Sequence, residues 1–80
     1  MNEAIGERIR RIRKERGMTL ATVSERICMH ASYIGQVERS EHAPGLTMAA
    51  DLARVFGVSL DYIAGLTEHE CNPYVQRGRA

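Results

Sequence analysis

This chain of 80 residues has no tryptophan, one phenylalanine and no long apolar run. Without some 18 consecutive apolar residues (roughly what a bilayer requires) it offers no membrane span. The charged N-terminus MNEAIGERIRR lacks the apolar centre of a signal peptide. A cytoplasmic location with no membrane partner is expected. The two cysteines, Cys28 and Cys71, are then expected to stay reduced. The pairs Cys28-x-His30 and His69-x-Cys71 do not match the ligand spacing of structural zinc sites, so no metal is expected. There is no phosphate-binding glycine loop, no HExxH and no locally supported Ser/His/Asp set. The expectation is a protein that is not an enzyme, with no catalytic residue and no cofactor. A net charge of only +1 does not by itself announce a polyanionic partner.

What is present is ordinary in amount and specific in order. The chain is 44% hydrophobic and 26% charged, as a globular domain would be. Its charge is uneven: residues 1–40 carry a net +3 and residues 41–80 a net −2. Much of the basic half is the cluster Arg8, Arg10, Arg11, Arg13, Lys14 and Arg16, which also fits a solvated helix face.

The spacing predicts five helices. Ile5, Ile9 and Ile12 form the stripe of a first helix over about Glu3 to Arg16, stopped by Gly17. Thr19 caps a second that ends near Ile27 or Cys28. A third spans about Ala31 to Ser40, with Ser32 its expected cap because His30 is a poor one. After the Pro44-Gly45 loop, a fourth carries Leu46, Ala49, Leu52, Ala53 and Phe56 to the stop at Gly57. Ser59 caps a fifth that presents Leu60 and Ile63 before Gly65. The reading is all-α: a compact five-helix bundle over residues 1–66, then a C-terminal tail, 67–80, that contacts a partner or a second copy.

Helices 2 and 3 are the informative pair. Val23 and Ile27 are four apart, Ile34 and Val37 three apart, and Met29 sits in the break between them. Two short helices sharing one apolar side across a tight turn make a helix-turn-helix, a unit that presents its second helix to DNA. At about 100° per residue, the side of helix 3 opposite Ile34 and Val37 collects Ser32, Gln36, Arg39 and, less centrally, Gly35. Gln suits adenine, Arg suits guanine and Ser serves either role. Gly35 would permit close approach, and Tyr33 lies on the flank. Any solvated helix carries such residues, so the face acquires meaning only from its place in the motif.

Four segments in order resemble the lambda-repressor-like (Cro/XRE) DNA-binding domains over roughly Ile5 to Ile63. They are IRRIRKERGMT, the helix-turn-helix, YIGQVER followed by Pro44, and LARVFGVSLDYIAG. The resemblance implies the lambda-repressor-like fold and places Ala31, Ser32, Tyr33 and Gln36 among base-facing positions, to which the angular count adds Arg39. It also implies an ion pair between Arg13 and Glu38 that orients helix 3. This chain departs from the family's common residues at Leu20 (often Gln), Ser24 (Ala), Cys28 (Gly) and Arg39-Ser40 (Asn-Gly). Leu20 removes a side chain that touches DNA, and Cys28 takes a turn position that commonly needs positive φ. Small Ala31 and Ser32 make direct base readout thin, and DNA shape is expected to contribute.

Phosphate contacts are expected from backbone N–H groups near Leu20 and Ser32. Thr19, Arg10, Arg11, Lys14, Arg26, Arg39 and His42 are the candidate side chains. One such domain offers a small interface, so a homodimer on a palindromic operator in double-stranded DNA is expected. Leu60, Ile63, Leu66 and Tyr74 are its candidate contacts, with Ile63 nearer the core. The leading reading is a transcriptional regulator of phage-repressor or restriction–modification-controller type. The competing one is an antitoxin or interaction module that binds a protein partner through the tail.

Overall fold

The computed structural model describes residues 3–70 as five helices: α1 (Ile5–Glu15), α2 (Leu20–Ile27), α3 (Ala31–Glu38), α4 (Leu46–Phe56) and α5 (Leu60–Ala64). Among the described residues there is no strand. The helix starts follow local chemistry. The Thr19 hydroxyl accepts the Thr22 N–H at 3.0 Å, and the Ser59 hydroxyl accepts the Tyr62 N–H at 3.0 Å. Each satisfies a backbone donor that a helix start leaves open. Gly57 and Gly65 end α4 and α5 with φ of 73° and 82°, where a Cβ would be strained.

Three boundaries differ from the sequence reading. α1 begins at Ile5 and ends at Glu15. His30, not Ser32, precedes α3; it gives no side-chain cap, and its carbonyl accepts the N–H groups of Tyr33 and Ile34, both at 3.1 Å. α3 stops at Glu38 because Ser40 takes a left-handed conformation (φ 66°). The Glu41 N–H then reaches the Gln36 carbonyl at 2.8 Å and the Ser40 N–H reaches that of Val37 at 3.0 Å, the double closure of a Schellman end.

Ile9, Ile12, Val23, Ile34, Val37, Leu52 and Ile63 are fully buried at the centre. Both halves of the helix-turn-helix thus share one core with α1, α4 and α5. Met48, Val58 and Tyr62 join that core. Leu46 does not: it is 74% exposed, because it stands on the first residue of α4 with no element above it. Ile5, first of the α1 stripe, is also exposed.

The basic cluster of α1 is only in part a solvated face, since of its members Arg10 and Lys14 alone are exposed. Arg8 and Arg13 are buried, and Arg11 and Arg16 half-buried. The Arg8 guanidinium lies 5.1 Å from the centre of the Tyr62 ring, a cation–π contact. Arg11 donates to Glu3 at 2.9 and 3.0 Å, to Glu15 at 3.0 Å and to the Tyr62 hydroxyl at 3.3 Å. This contact holds the Glu3 carboxyl below its ordinary pKa, chiefly through the hydrogen bonds from Arg11, and raises that of Arg11. Arg16 donates to the Phe56 carbonyl and to the Glu70 carboxylate, both at 3.2 Å. The Glu70 carbonyl in turn accepts the Ser59 N–H, so residues 66–70 double back along α5 to its start.

Candidate nucleic-acid interface

The site is the outward side of α3 with the elements that flank it. Ser32 is exposed, while Ala31, Tyr33 and Gln36 are half-buried. Arg39 is exposed immediately beyond the helix. Ser32 and Gln36, four residues apart, project from one side of the helix. Tyr33 stands beside them with its ring centre 5.7 Å from that of His42 and tilted by 35°. The α3–α4 loop is thereby brought against the flank of the helix.

Gly35 differs from expectation. It is buried, because Leu20 of α2 and the Arg39 guanidinium lie over it. A Cβ there would stand 3.2 Å from Arg39 Nη1 and 3.7 Å from Leu20 Cδ1. The glycine seats a side chain of this chain rather than offering bare backbone. An angular count along one helix cannot register a neighbour from another.

Arg13 and Glu38 join α1 to α3. Arg13 Nε donates to Glu38 Oε2 at 2.7 Å and Nη2 to Oε1 at 3.0 Å, while Nη1 donates to the Met18 carbonyl at 2.9 Å. Both side chains are buried. One guanidinium therefore links α1, the α1–α2 loop and α3 in a planar, two-bond geometry that lysine could not supply. The turn has its own tie, from the Ser24 hydroxyl to the Met29 carbonyl. Cys28 holds the left-handed position there (φ 58°) and is exposed.

Among the candidate phosphate ligands, Thr19, Arg10, Arg26, Lys14 and His42 are exposed, and Leu20 is half-buried at the first turn of α2. Arg10, Lys14 and Arg26 make no ion pair with any described residue. Arg11 is withdrawn from this role by Glu3, Glu15 and Tyr62. Arg39 is paired, its Nε 3.0 Å from Glu41 Oε2. A cleft of about 420 Å³ opens between α1, α2 and α3, with Arg10, Leu20, Gly35 and Arg39 among its walls.

The candidate dimer contacts divide. Ile63 is only 1% exposed and belongs to the core, so it is removed from the exposed surface; Leu60 is half-buried, and Leu66 is 76% exposed. Tyr74 and Cys71 lie outside the described residues. Leu60 and Leu66 border a largely apolar groove of about 420 Å³ together with Ile5, Leu46 and Ala49. Leu46 escaped the sequence reading as a surface residue because its spacing with Ala49 imitates a buried stripe. Among the described residues no three His, Cys, Asp or Glu side chains gather as a metal site would need. No described helix is long and apolar enough to cross a membrane.

A helix-turn-helix family model matches residues 9–63, from the middle of α1 to the end of the core in α5. An HTH-type transcriptional regulator, YobD of Bacillus subtilis, is 37% identical over 71 residues, 89% of this chain and 62% of the relative. The immunity repressor protein of Bacillus phage phi105 is 33% identical over 61 residues, 76% of this chain and 42% of the relative. The chain thus spans about half the length of these two proteins. Among solved structures, the biofilm regulator SinR in complex with DNA matches with TM-score 0.71 and 30% identity, over 75% of this chain and 97% of that one. The DNA-binding domain of the P22 c2 repressor matches with TM-score 0.73 and 33% identity, over 79% and 84%. With its five helices, its shared core and its turn at Cys28, the chain belongs to the Cro/C1-type (XRE) family of helix-turn-helix transcription regulators.

Proposed function

We propose that the chain is a sequence-specific DNA-binding regulator of repressor type, acting in the cytoplasm as a homodimer on a palindromic operator. In this reading α3 lies in the major groove of double-stranded DNA, with Ala31, Ser32, Tyr33 and Gln36 toward base edges. The observation that carries it is the buried two-bond pair of Arg13 and Glu38, which holds out a helix whose exposed side is small and polar. Gln36 is the principal reader, since a glutamine makes a bidentate pair with adenine. Thr19, Leu20, Arg10, Arg26 and His42 are assigned to phosphates. The solved DNA complexes of SinR and of the P22 c2 repressor support this reading.

The homodimer is placed on the apolar groove, through Leu60, Leu66, Leu46 and Ile5. Two copies related by a twofold axis would read half-sites about one helical turn apart. The test is a binding titration with the DNA upstream of the gene. A salt-sensitive specific complex is expected, weakened by about 1–3 kcal/mol in Gln36→Ala. Specific binding untouched by that substitution refutes the readout, and a concentration-independent monomer in sedimentation, with and without DNA, refutes the dimer. A second reading, a protein-interaction module, is favoured by the same groove; it would hold if the chain bound no DNA.

A further inference from the structure

Arg39 and Glu41 stand in a relation that the assignment of Arg39 to bases does not use. Arg39 is 61% exposed and Glu41 51%, and one carboxylate oxygen occupies the Nε donor of the guanidinium. The guanidinium is laid back over Gly35, with Nη1 where a Cβ would crowd it, and Leu20 closes the other side. It therefore lines the same cleft as Arg10. Of the other charges lining that cleft, Glu38 is bound by Arg13, while Glu7, three residues before Arg10 on α1, is exposed and makes no ion pair among the described residues.

Resting on the DNA-binding reading above, we propose that Arg39 serves a backbone phosphate seated between it and Arg10, and that Glu41 is a built-in competitor for that phosphate. Arginine binds carboxylate and phosphate through the same planar fork, so the two anions exclude one another at Nε. The pair is exposed and weakly held, so a phosphate can displace the carboxylate. The cost of displacement lowers affinity for every sequence alike, because a phosphate contact carries no base information. Glu41 would thereby keep non-specific binding low and leave discrimination to Ser32 and Gln36. A Cβ at Gly35 would stand 3.2 Å from Arg39 Nη1, so the guanidinium would have to give by a few tenths of an ångström.

The experiment is an anisotropy titration of a labelled mixed-sequence duplex about two helical turns long, repeated across salt concentrations. Glu41→Gln is expected to tighten binding by roughly two- to fivefold, the span of an exposed ion pair. Arg39→Gln is expected to weaken it and to reduce the salt slope by about 0.9, one phosphate's worth. In the Arg39→Gln background, Glu41→Gln should give no gain. An equal gain from Glu41→Gln with and without Arg39 would mean general repulsion and overturn the proposal, as would an unchanged slope in Arg39→Gln. Absence of any salt-sensitive binding by the parent protein would remove the DNA-binding reading and this proposal together, an outcome distinct from both.

Discussion

Gly6 of α1 faces the last turn of α3 so closely that a Cβ on it would lie 2.2 Å from the Val37 carbonyl oxygen and 2.8 Å from that of Glu38. Both obstacles are backbone and cannot rotate aside. Gly6→Ala should therefore cost about 1–3 kcal/mol, the usual penalty for overpacking. The same displacement tilts α3, so DNA affinity should fall with stability. Denaturant unfolding checks the first effect; an unchanged midpoint would contradict the close approach.

Glu38→Gln leaves the Arg13 guanidinium buried without its charge partner. A loss of about 3–5 kcal/mol is expected. Replacing both residues, Arg13→Met with Glu38→Leu, should recover most of that stability while DNA affinity stays low, because the pair orients α3 more than it stabilises the fold. Thermal melts of the single and double variants, with binding titrations on each, separate the two roles.

The apolar skeleton was readable from spacing alone. Val23, Ile27, Ile34 and Val37 are buried, Thr19 and Ser59 cap their helices, and Gly57 and Gly65 end theirs. What escaped was decided between elements. Arg8 and Arg11 looked solvated until α5 placed Tyr62 against them. Gly35 looked open until Leu20 and Arg39 covered it. Periodicity reports which side of a helix is apolar; it carries nothing about a neighbour that arrives from fifty residues away.

Glu3 supplies a pH dependence. Its carboxyl is held below its ordinary value of 4.5, first by the hydrogen bonds from Arg11, with burial opposing. A group whose pKa is lower in the folded state stabilises the fold above its unfolded value, and loses that contribution as pH falls through the folded one. Glu3→Gln should be less stable than the parent near neutral pH by about 0.5–1 kcal/mol, since the pair is partly exposed. The difference should close as both proteins are acidified below the folded pKa. Urea titrations at several pH values would show the convergence; a gap that persists in acid would assign the effect to packing.

Cys28 and Ser40 sit at φ of 58° and 66° without being glycine. Each bears the strain of a Cβ in the left-handed region, on the order of 1 kcal/mol. Cys28→Gly and Ser40→Gly should each raise stability by about 0.5 kcal/mol, after the added freedom of the unfolded chain is deducted. Higher urea midpoints at constant slope would be the signature.

The path of residues 66–70 decides where this domain can be handled. The chain turns beside the apolar groove at Leu66 and arrives, through Glu70, at the junction of α4 and α5 next to Arg16. A fluorescent protein or affinity handle fused after Glu70 would start from that junction rather than from the rim of the groove. The same handle fused directly after Gly65 would displace the rim residue Leu66 and the Arg16–Glu70 tie in one cut, and would block the surface it was meant to report on.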